Sequence, residues 1–441
     1  MSQYKPYPAY KNSGVEWLGR VPEHWDVCKL SFRYSIELGK MLDEKRLTKT
    51  SLVPYLRNQD VQWGSINTQD LPEMDIHPEE LERYTIRHGD LLVCEGGDVG
   101  RAAIWRGDNA AFGYQKALHR LRHRSVNADT AEFFYFSLLT AKQRGVFEES
   151  DSKATIAHLP AEKFRQYRFV FPPLPEQLCI AALLDRETTR IDALIEKKTR
   201  FIDLLREKRQ ALITHAVTKG LDPNVKMKDS GVEWLGEVPE NWEALPLRRV
   251  VTAVRTGGTP SEEQPSPDAD GLAWYTPGDF GNSLVLSSSE KRVSALAIST
   301  GEAKVYPAGA VLIVSIGATL GKVGYLVEPA SANQQINAVI PNSRVNGYFL
   351  AYSLSVKTEA MWFLANAATI GIMNQEKTKE IWLAVPSPPD QKAITDYLDK
   401  GSGRLASLIE KTEHSIELLK ERRSALITAA VTGQIDLREA V

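Results

Sequence analysis

SGVEWLGRVPEHW (Ser13–Trp25) and SGVEWLGEVPENW (Ser230–Trp242) are one thirteen-residue sentence written twice in a chain of 441 residues. Only Arg20 against Glu237 and His24 against Asn241 differ. Chance does not produce such a match, so the chain is an internal duplication and the rest of the repeat comes first. It lies downstream. Pro175–Thr218 aligns without gaps to Pro389–Thr432 at an offset of 214 residues, sharing LIEK (Leu194–Lys197, Leu408–Lys411), ALIT (Ala211–Thr214, Ala425–Thr428) and a closing AVT. The register persists upstream, with Lys153–Ile156 facing Ala367–Ile370 and Glu162-Lys163 facing Glu376-Lys377. The opening motif repeats at an offset of 217 residues, so the length difference arises between Asp26 and Lys153. Each half is a motif, a variable region and then a long helix.

The helices follow from periodicity. Between Glu176 and Thr218 there is no proline or glycine, and Leu184, Ile191, Leu194, Ile195, Ile202, Leu205 and Leu212 form one apolar stripe near a seven-residue period. The second copy keeps Leu398, Leu405, Leu408, Ile409, Ile416, Leu419 and Leu426 on the same face, although Gly401 and Gly403 weaken its first turns. PPLPEQ and PSPPDQ place prolines before each helix and an acid in its first turn. About forty residues make a rod of roughly 60 Å. A length of that order favours a coiled coil between the copies over separate packing of each stripe on its own domain. In mid-chain the helix runs straight into the motif, whereas at the termini that join is cut. If a two-fold axis relates the halves, the two termini must meet where the middle segment passes on the opposite side. The repeat is then circularly permuted.

Composition is that of an ordinary globular protein, and the formal net charge of −2 leaves any nucleic-acid attraction to local faces. Cys28, Cys94 and Cys179 are too few and too scattered for a disulfide framework, which fits a cytoplasmic setting. MSQYKPYPAY lacks the apolar core of a signal peptide. The most apolar stretch, Ala310–Val327, carries a lysine and three glycines and predicts two strands around a turn rather than a membrane helix.

The variable regions, 27–170 and 244–385, read as mixed α/β with short Val/Ile/Leu runs. Gly89–Trp105 resembles Gly309–Leu326, with a strand, a Gly-rich turn, a cation (Arg101 or Lys322) and a second strand. YQKALHRLR (Tyr114–Arg122) and NQQINAVIP (Asn333–Pro341) follow, each with Gln in second place, and then a short helix over Glu132–Leu139 or Tyr348–Leu354. One scaffold carrying different polar side chains suits two recognition surfaces for different targets.

Chemistry is mostly excluded. GATLGK has one residue too few for a phosphate loop, and Val323 stands where a hydroxyl is needed. There is no HExxH, CxxC or close His pair for a metal. Pro389-Asp390 is explained by a helix start, and His24 has no histidine counterpart in the second copy. Trp17, Trp25, Trp234 and Trp242 read as buried packing residues. For nucleic acid, the densest signal is Arg101, Arg106, Lys116, His119, Arg120, Arg122, His123 and Arg124, against the alternative of a charged, solvated strand face. The candidate contacts to phosphates and base edges are Arg57, Asn58, Gln62, Arg101, Tyr114, Gln115, Lys116, Arg120 and Arg122 in the first region. In the second they are Thr319, Lys322, Asn333, Gln334, Gln335 and Asn337.

With GVEWLGxVPxxW twice, LPEQ and PPDQ leading into LIEK, and the ALIT(A/H)AVT ends, the chain resembles the specificity subunit of type I restriction–modification systems over nearly its whole length. GDLLV…GRAAI…YQKALHRLR resembles that family's target-recognition domains. The resemblance implies an α+β architecture: two mixed α/β target-recognition domains held apart by two long antiparallel helices. Its boundaries are a conserved segment 1–26, recognition domain 27–172, central conserved region 173–243, recognition domain 244–386 and conserved region 387–441. It implies double-stranded DNA as ligand, a bipartite asymmetric site and no catalysis or cofactor in this chain. Two modification subunits would bring S-adenosylmethionine, and restriction subunits ATP and Mg. The repeated frame would be where the paired subunits dock. Two alternatives stand beside it: a self-contained methyltransferase or nuclease, and a coiled-coil scaffold whose paired domains bind protein or glycan.

Overall fold

The computed structural model describes residues 4–41, 49–107, 111–148, 158–260, 265–281, 283–365 and 371–438. The paired segments Lys153–Ile156 and Ala367–Ile370 lie outside them. The chain divides into two units, Met1–Lys198 with His414–Val441, and Thr199–Glu413. Each unit holds the N-terminal half of one long helix, the C-terminal half of the other, and one mixed α/β region.

The long helices are Leu174–Lys219, of 46 residues, and Pro388–Val431, of 44. They pair in antiparallel fashion within each unit. In the first, Arg423 meets Asp192 at 2.9 Å and Leu184 shares a core with Leu426 and Ile427. In the second, Arg206 meets Glu413 at 3.2 Å, and six residues later Leu212 lies against Gly401. A Cβ on Gly401 would stand 2.7 Å from Leu212 Cδ2, so this glycine permits close helix approach. The stripe is buried at Leu184, Ile191, Ile202 and Leu205, and at Leu398, Leu405, Ile416 and Leu426. Leu194 and Leu408 depart from the expectation, at 40% and 45% exposed. The next residues, Ile195 and Ile409, are half-buried and take the place at the seam. One residue of rotation, about 100°, turns each leucine outward.

The repeated sentence builds the same small hairpin twice. Tyr10–Asn12 pairs with Arg20–Pro22, and Met227–Asp229 with Glu237–Pro239. Gly14 and Gly19 sit at φ 67° and 65°, and Gly231 and Gly236 at 72° and 64°, which explains the glycines at both corners. Asn12 Oδ1 accepts from Gly14 N at 2.9 Å, and Asp229 Oδ1 accepts from Gly231 N at 2.9 Å. Trp25 and Trp242 are buried as expected, whereas Trp234 is 43% exposed, its ring tilted against that of Phe363. In the first unit, Leu18, Val21 and Trp25 pack on Ile427, Ala430 and Val431, and Lys5 bridges to Asp436. The two ends of the chain therefore meet, as the permuted repeat requires. In the second unit Leu235, Val238 and Trp242 pack on Ile213, Ala216 and Val217, with the backbone continuous between them.

Each α/β region centres on one main sheet, antiparallel throughout in the first and with a single parallel edge pair, Val285–Leu286 on Val323–Leu326, in the second. The first runs in the order Ala102–Ile104, Leu91–Cys94, Leu118–His123 and Tyr34–Leu38. The second runs Val251–Thr256, Ile336–Pro341, Val311–Val314, Val323–Leu326 and Val285–Leu286. Leu91–Cys94 and Val311–Val314 are buried on both faces, which is why they read as unbroken apolar runs. A smaller sheet stands beside each, containing a parallel pair: Gly113↔Tyr55 in one and Ser331↔Trp274 in the other. Helices Ala131–Gln143 and Gly347–Ser355, capped by Thr130 and Asn346, cover the sheets. Strand pairs Asp26–Lys29 with Arg168–Phe171 and Glu243–Pro246 with Trp382–Val385 bring each region back to its long helix. Among the described residues no helix is long and apolar enough to cross a membrane.

Candidate nucleic-acid interface

The two α/β regions carry one backbone cage. After the central strand, Glu95 N donates to Ala117 O at 3.0 Å, and Ser315 N donates to Gln335 O at 2.7 Å. Leu159 N donates to Glu95 O, and Met373 N to Ser315 O, each at 2.8 Å. Gly96 bridges to His158 as Ile316 bridges to Ile372. A buried side chain then reaches the same carbonyl in each: His119 Nε2 to Leu159 O and Asn337 Nδ2 to Met373 O, both 2.7 Å. A Cβ on Gly39 would strike the carbonyls of Tyr114 and Gln115, and one on Gly257 those of Ala332 and Asn333. These contacts fix the correspondence. Gln115 is equivalent to Asn333, and Lys116 to Gln334. The sequence match of Gln115 with Gln334 was one residue out of register, because identity at one glutamine outweighed the strand pairing that sets it.

The candidate residues separate by environment. Tyr114 is buried and its hydroxyl donates to Arg83 O at 3.1 Å; burial pushes its pKa up. Arg120 is buried with Nη1 against the carbonyls of Glu82, Arg83 and Thr85, each at 3.0 Å, and burial lowers its pKa. Arg122 forms a bidentate pair with buried Asp90 at 2.7 and 2.6 Å. Arg57 does the same with Asp60 at 2.8 Å. Burial alone would raise the pKa of Asp60, and the hydrogen bonds from Arg57 outweigh it and hold the carboxyl low. Asn337 is buried, donating to Met373 O and Thr378 Oγ1.

The basic run of the first region is therefore divided: His119, Arg120 and Arg122 are engaged within the fold, whereas Arg106, Lys116 and Arg124 stand at exposed positions. Arg106 pairs with Glu132 at 3.4 Å, Arg124 Nε donates to Ser31 O at 2.9 Å, and burial pushes the His119 pKa down to about 4. The reason is positional: Leu118–His123 is an interior strand, paired on both sides.

Arg101 and Lys322 have matching jobs. Arg101 donates to Asn58 O and Oδ1 at 3.0 Å, and Lys322 Nζ to Phe280 O at 2.8 Å. Each staples the short turn Asn58–Asp60 or Pro277–Asp279 beside the Gly-rich loop. Asn58 Nδ2 donates to Gly96 O and Ala117 O, which locks that turn onto the cage. At the rim, Gln62, Lys116, Lys322 and Gln334 are exposed, and Gln115, Thr319 and Gln335 half-exposed. Asn333 is buried, bonded to Gln335, and Gln334 Oε1 accepts from Thr259.

Sequence reading missed Glu95, with His158 Nε2 at 3.2 Å from its Oε1. The signal was a carboxylate directly following the buried LLVC run, where the second copy has Ser315. Burial pushes its carboxyl pKa up, against the charges of His158 and Lys116. Among the described residues no group of His, Cys, Asp and Glu could hold a metal.

Comparison with known proteins agrees with this duplicated plan. The family described as Type I restriction modification DNA specificity domain matches residues 22–202 and again 239–418. A Methanocaldococcus jannaschii chain named as the MjaX type I restriction enzyme specificity subunit is 22% identical over 434 residues, 96% of each chain. The EcoBI type I restriction enzyme specificity subunit of Escherichia coli is 21% identical over 394 residues, 87% of this chain and 80% of that one. A chain solved in work on complex assembly and conformational transition of the type I R-M system shares the fold at TM-score 0.76 and 16% identity, covering 94% of this chain and 99% of that one. The HsdS subunit from Thermoanaerobacter tengcongensis does so at TM-score 0.58 and 17% identity, covering 94% and 98%.

Proposed function

The chain belongs to the type I restriction–modification DNA specificity family, and from that premise we propose that its two recognition regions read the two unlike halves of a split DNA site. A sequence-specific DNA-binding role in a type I complex follows from the family, and the chain is its recognition subunit rather than an enzyme. The observation that supports the split site is the shared cage with unlike rims. Two readers built on one frame, with different side chains at equivalent places, call for two different half-sites. The recognition domains are assigned to 27–172 and 244–386, and the conserved frame to 1–26, 173–243 and 387–441. The reading contacts are assigned to the exposed and half-exposed groups, with Lys116, Gln62, Lys322, Thr319 and Gln334 foremost.

Two modification subunits dock on the repeated frame, since alike subunits need two alike surfaces. They supply S-adenosylmethionine-dependent adenine methylation; restriction subunits add ATP- and Mg-dependent translocation and cleavage. The helices set an unread gap between the half-sites. Four residues added to both would lengthen them by about 6 Å.

Co-expression with the neighbouring modification subunit, followed by mapping of methylated adenines across the host genome, tests this. A single split motif with two different halves is expected. A continuous motif would overturn the separated-reader assignment.

A further inference from the structure

On the equivalent cages just described, three side chains change chemistry together. Where the first region has Glu95, Lys116 and His158, the second has Ser315, Gln334 and Ile372. The backbone hydrogen bonds around them coincide, so packing does not explain the exchange. Lys116 and Gln334 are both exposed at the rim, and so are His158 and Ile372. Glu95 lies 7% exposed behind them, its carboxylate 3.2 Å from His158. A carboxylate, an ammonium and an imidazole on one frame thus stand against a hydroxyl, an amide and a branched alkyl group on the other.

We propose that these trios set one base pair in each half-site: a G·C pair for Glu95, Lys116 and His158, and an A·T pair for Ser315, Gln334 and Ile372. The chemistry of the base edges carries the assignment. A lysine ammonium matches the O6 and N7 acceptors of guanine, and the buried Glu95 carboxylate holds the exposed His158 imidazole at the same rim. A glutamine amide matches N6 and N7 of adenine, and an alkyl side chain matches the thymine methyl. Lys116 and His158, both exposed and both near Glu95, can each donate, and guanine alone presents two adjacent acceptors in the major groove.

The assignment rests on the DNA-reading proposal, and one experiment separates the two. The wild-type chain and the triple variant Glu95→Ser, Lys116→Gln, His158→Ile are each expressed with the modification subunit, and their methylated motifs are mapped. The variant is expected to lose its preference at one G·C position of a single half-site, by roughly tenfold or more, with the other half and the gap unchanged. An unaltered motif overturns the trio assignment. Absence of any split motif with the wild-type chain overturns the DNA-reading proposal instead. If the triple variant does not copurify with its partner, Lys116→Gln alone decides, since that side chain is exposed. Its relaxation at a G·C position supports the assignment, and an unchanged motif removes it.

Discussion

The indole Nε1 of Trp25 donates to Glu176 Oε2 at 2.9 Å, tying the last residue of the first repeated sentence to the first turn of the first long helix. Tyr7 OH donates to the same oxygen at 3.2 Å, and His24 Nε2 lies 2.7 Å from Oε1. Arg438, near the other end of the chain, stands 3.9 Å away. The equivalent acid in the second unit is Asp390, one methylene shorter, and among the described residues it accepts only the local cap from Ser387 Oγ at 2.8 Å. There the backbone itself joins helix to hairpin. In the first unit, where the chain is cut, a buried carboxylate holds the pieces together.

Replacing Glu176 by Ala should therefore cost the protein about 2–4 kcal/mol, since three donors lose a charged acceptor and Trp25 is left buried without a partner. Asp390→Ala should cost under about 1 kcal/mol, the value of a helix cap. Urea unfolding of both variants checks this. Equal losses would show that the carboxylate does not serve to close the cut.

His119 gives the first unit a pH dependence that Asn337 spares the second. Burial holds its pKa down at about 4, against about 6.5 in the unfolded chain. Between those values the unfolded chain takes up a proton that the folded one refuses. Stability is then full above about pH 6.5 and falls as pH drops toward 4, by up to about 3 kcal/mol. His119→Asn, which copies the second unit, should flatten the difference between melting temperatures at pH 7 and pH 5. A difference that persists unchanged would place the titrating group elsewhere.

The helices, the permutation and the meeting of the termini were legible because repetition and a seven-residue period are properties of the chain itself. The rim was much less so. Arg120 and Lys116 lie four residues apart in one basic run, yet one is buried under three carbonyls and the other faces solvent. Charge in a sequence does not say which strand will be interior. Leu194 was misplaced for a related reason: Leu-Ile pairs leave the seam residue undecided until a partner helix supplies the groove. The register of Gln115 required the cage, whose backbone bonds no local pattern encodes.

Gly39 and Gly257 allow two backbone segments to touch at equivalent places, and neither sits at a positive φ. Their role is steric. Gly39→Ala and Gly257→Ala should each destabilise their own unit by about 3 kcal/mol or more, because the obstructing atoms are carbonyl oxygens that cannot rotate away. Limited proteolysis should reveal loosening confined to the α/β region that carries the change. A glycine kept for backbone freedom alone would tolerate alanine at these φ values, so near-normal stability would refute the close-approach account.

Arg120 and Lys116 also give the sharpest separation of packing from recognition. Arg120→Met removes a donor from the carbonyls of Glu82, Arg83 and Thr85, of which Arg83 O keeps the Tyr114 hydroxyl, and should lower stability by about 1–3 kcal/mol. Because Arg120 neutralises no phosphate in this account, the slope of log affinity against log salt for the assembled complex should not change. Lys116→Met, at an exposed position, should leave stability within about 0.5 kcal/mol while altering the methylated motif. Melting curves and salt titrations of the two variants distinguish the roles. A shallower salt slope for Arg120→Met at unchanged melting temperature would mean that this arginine leaves its carbonyl cradle to meet DNA, and the division between core and rim would have to be redrawn.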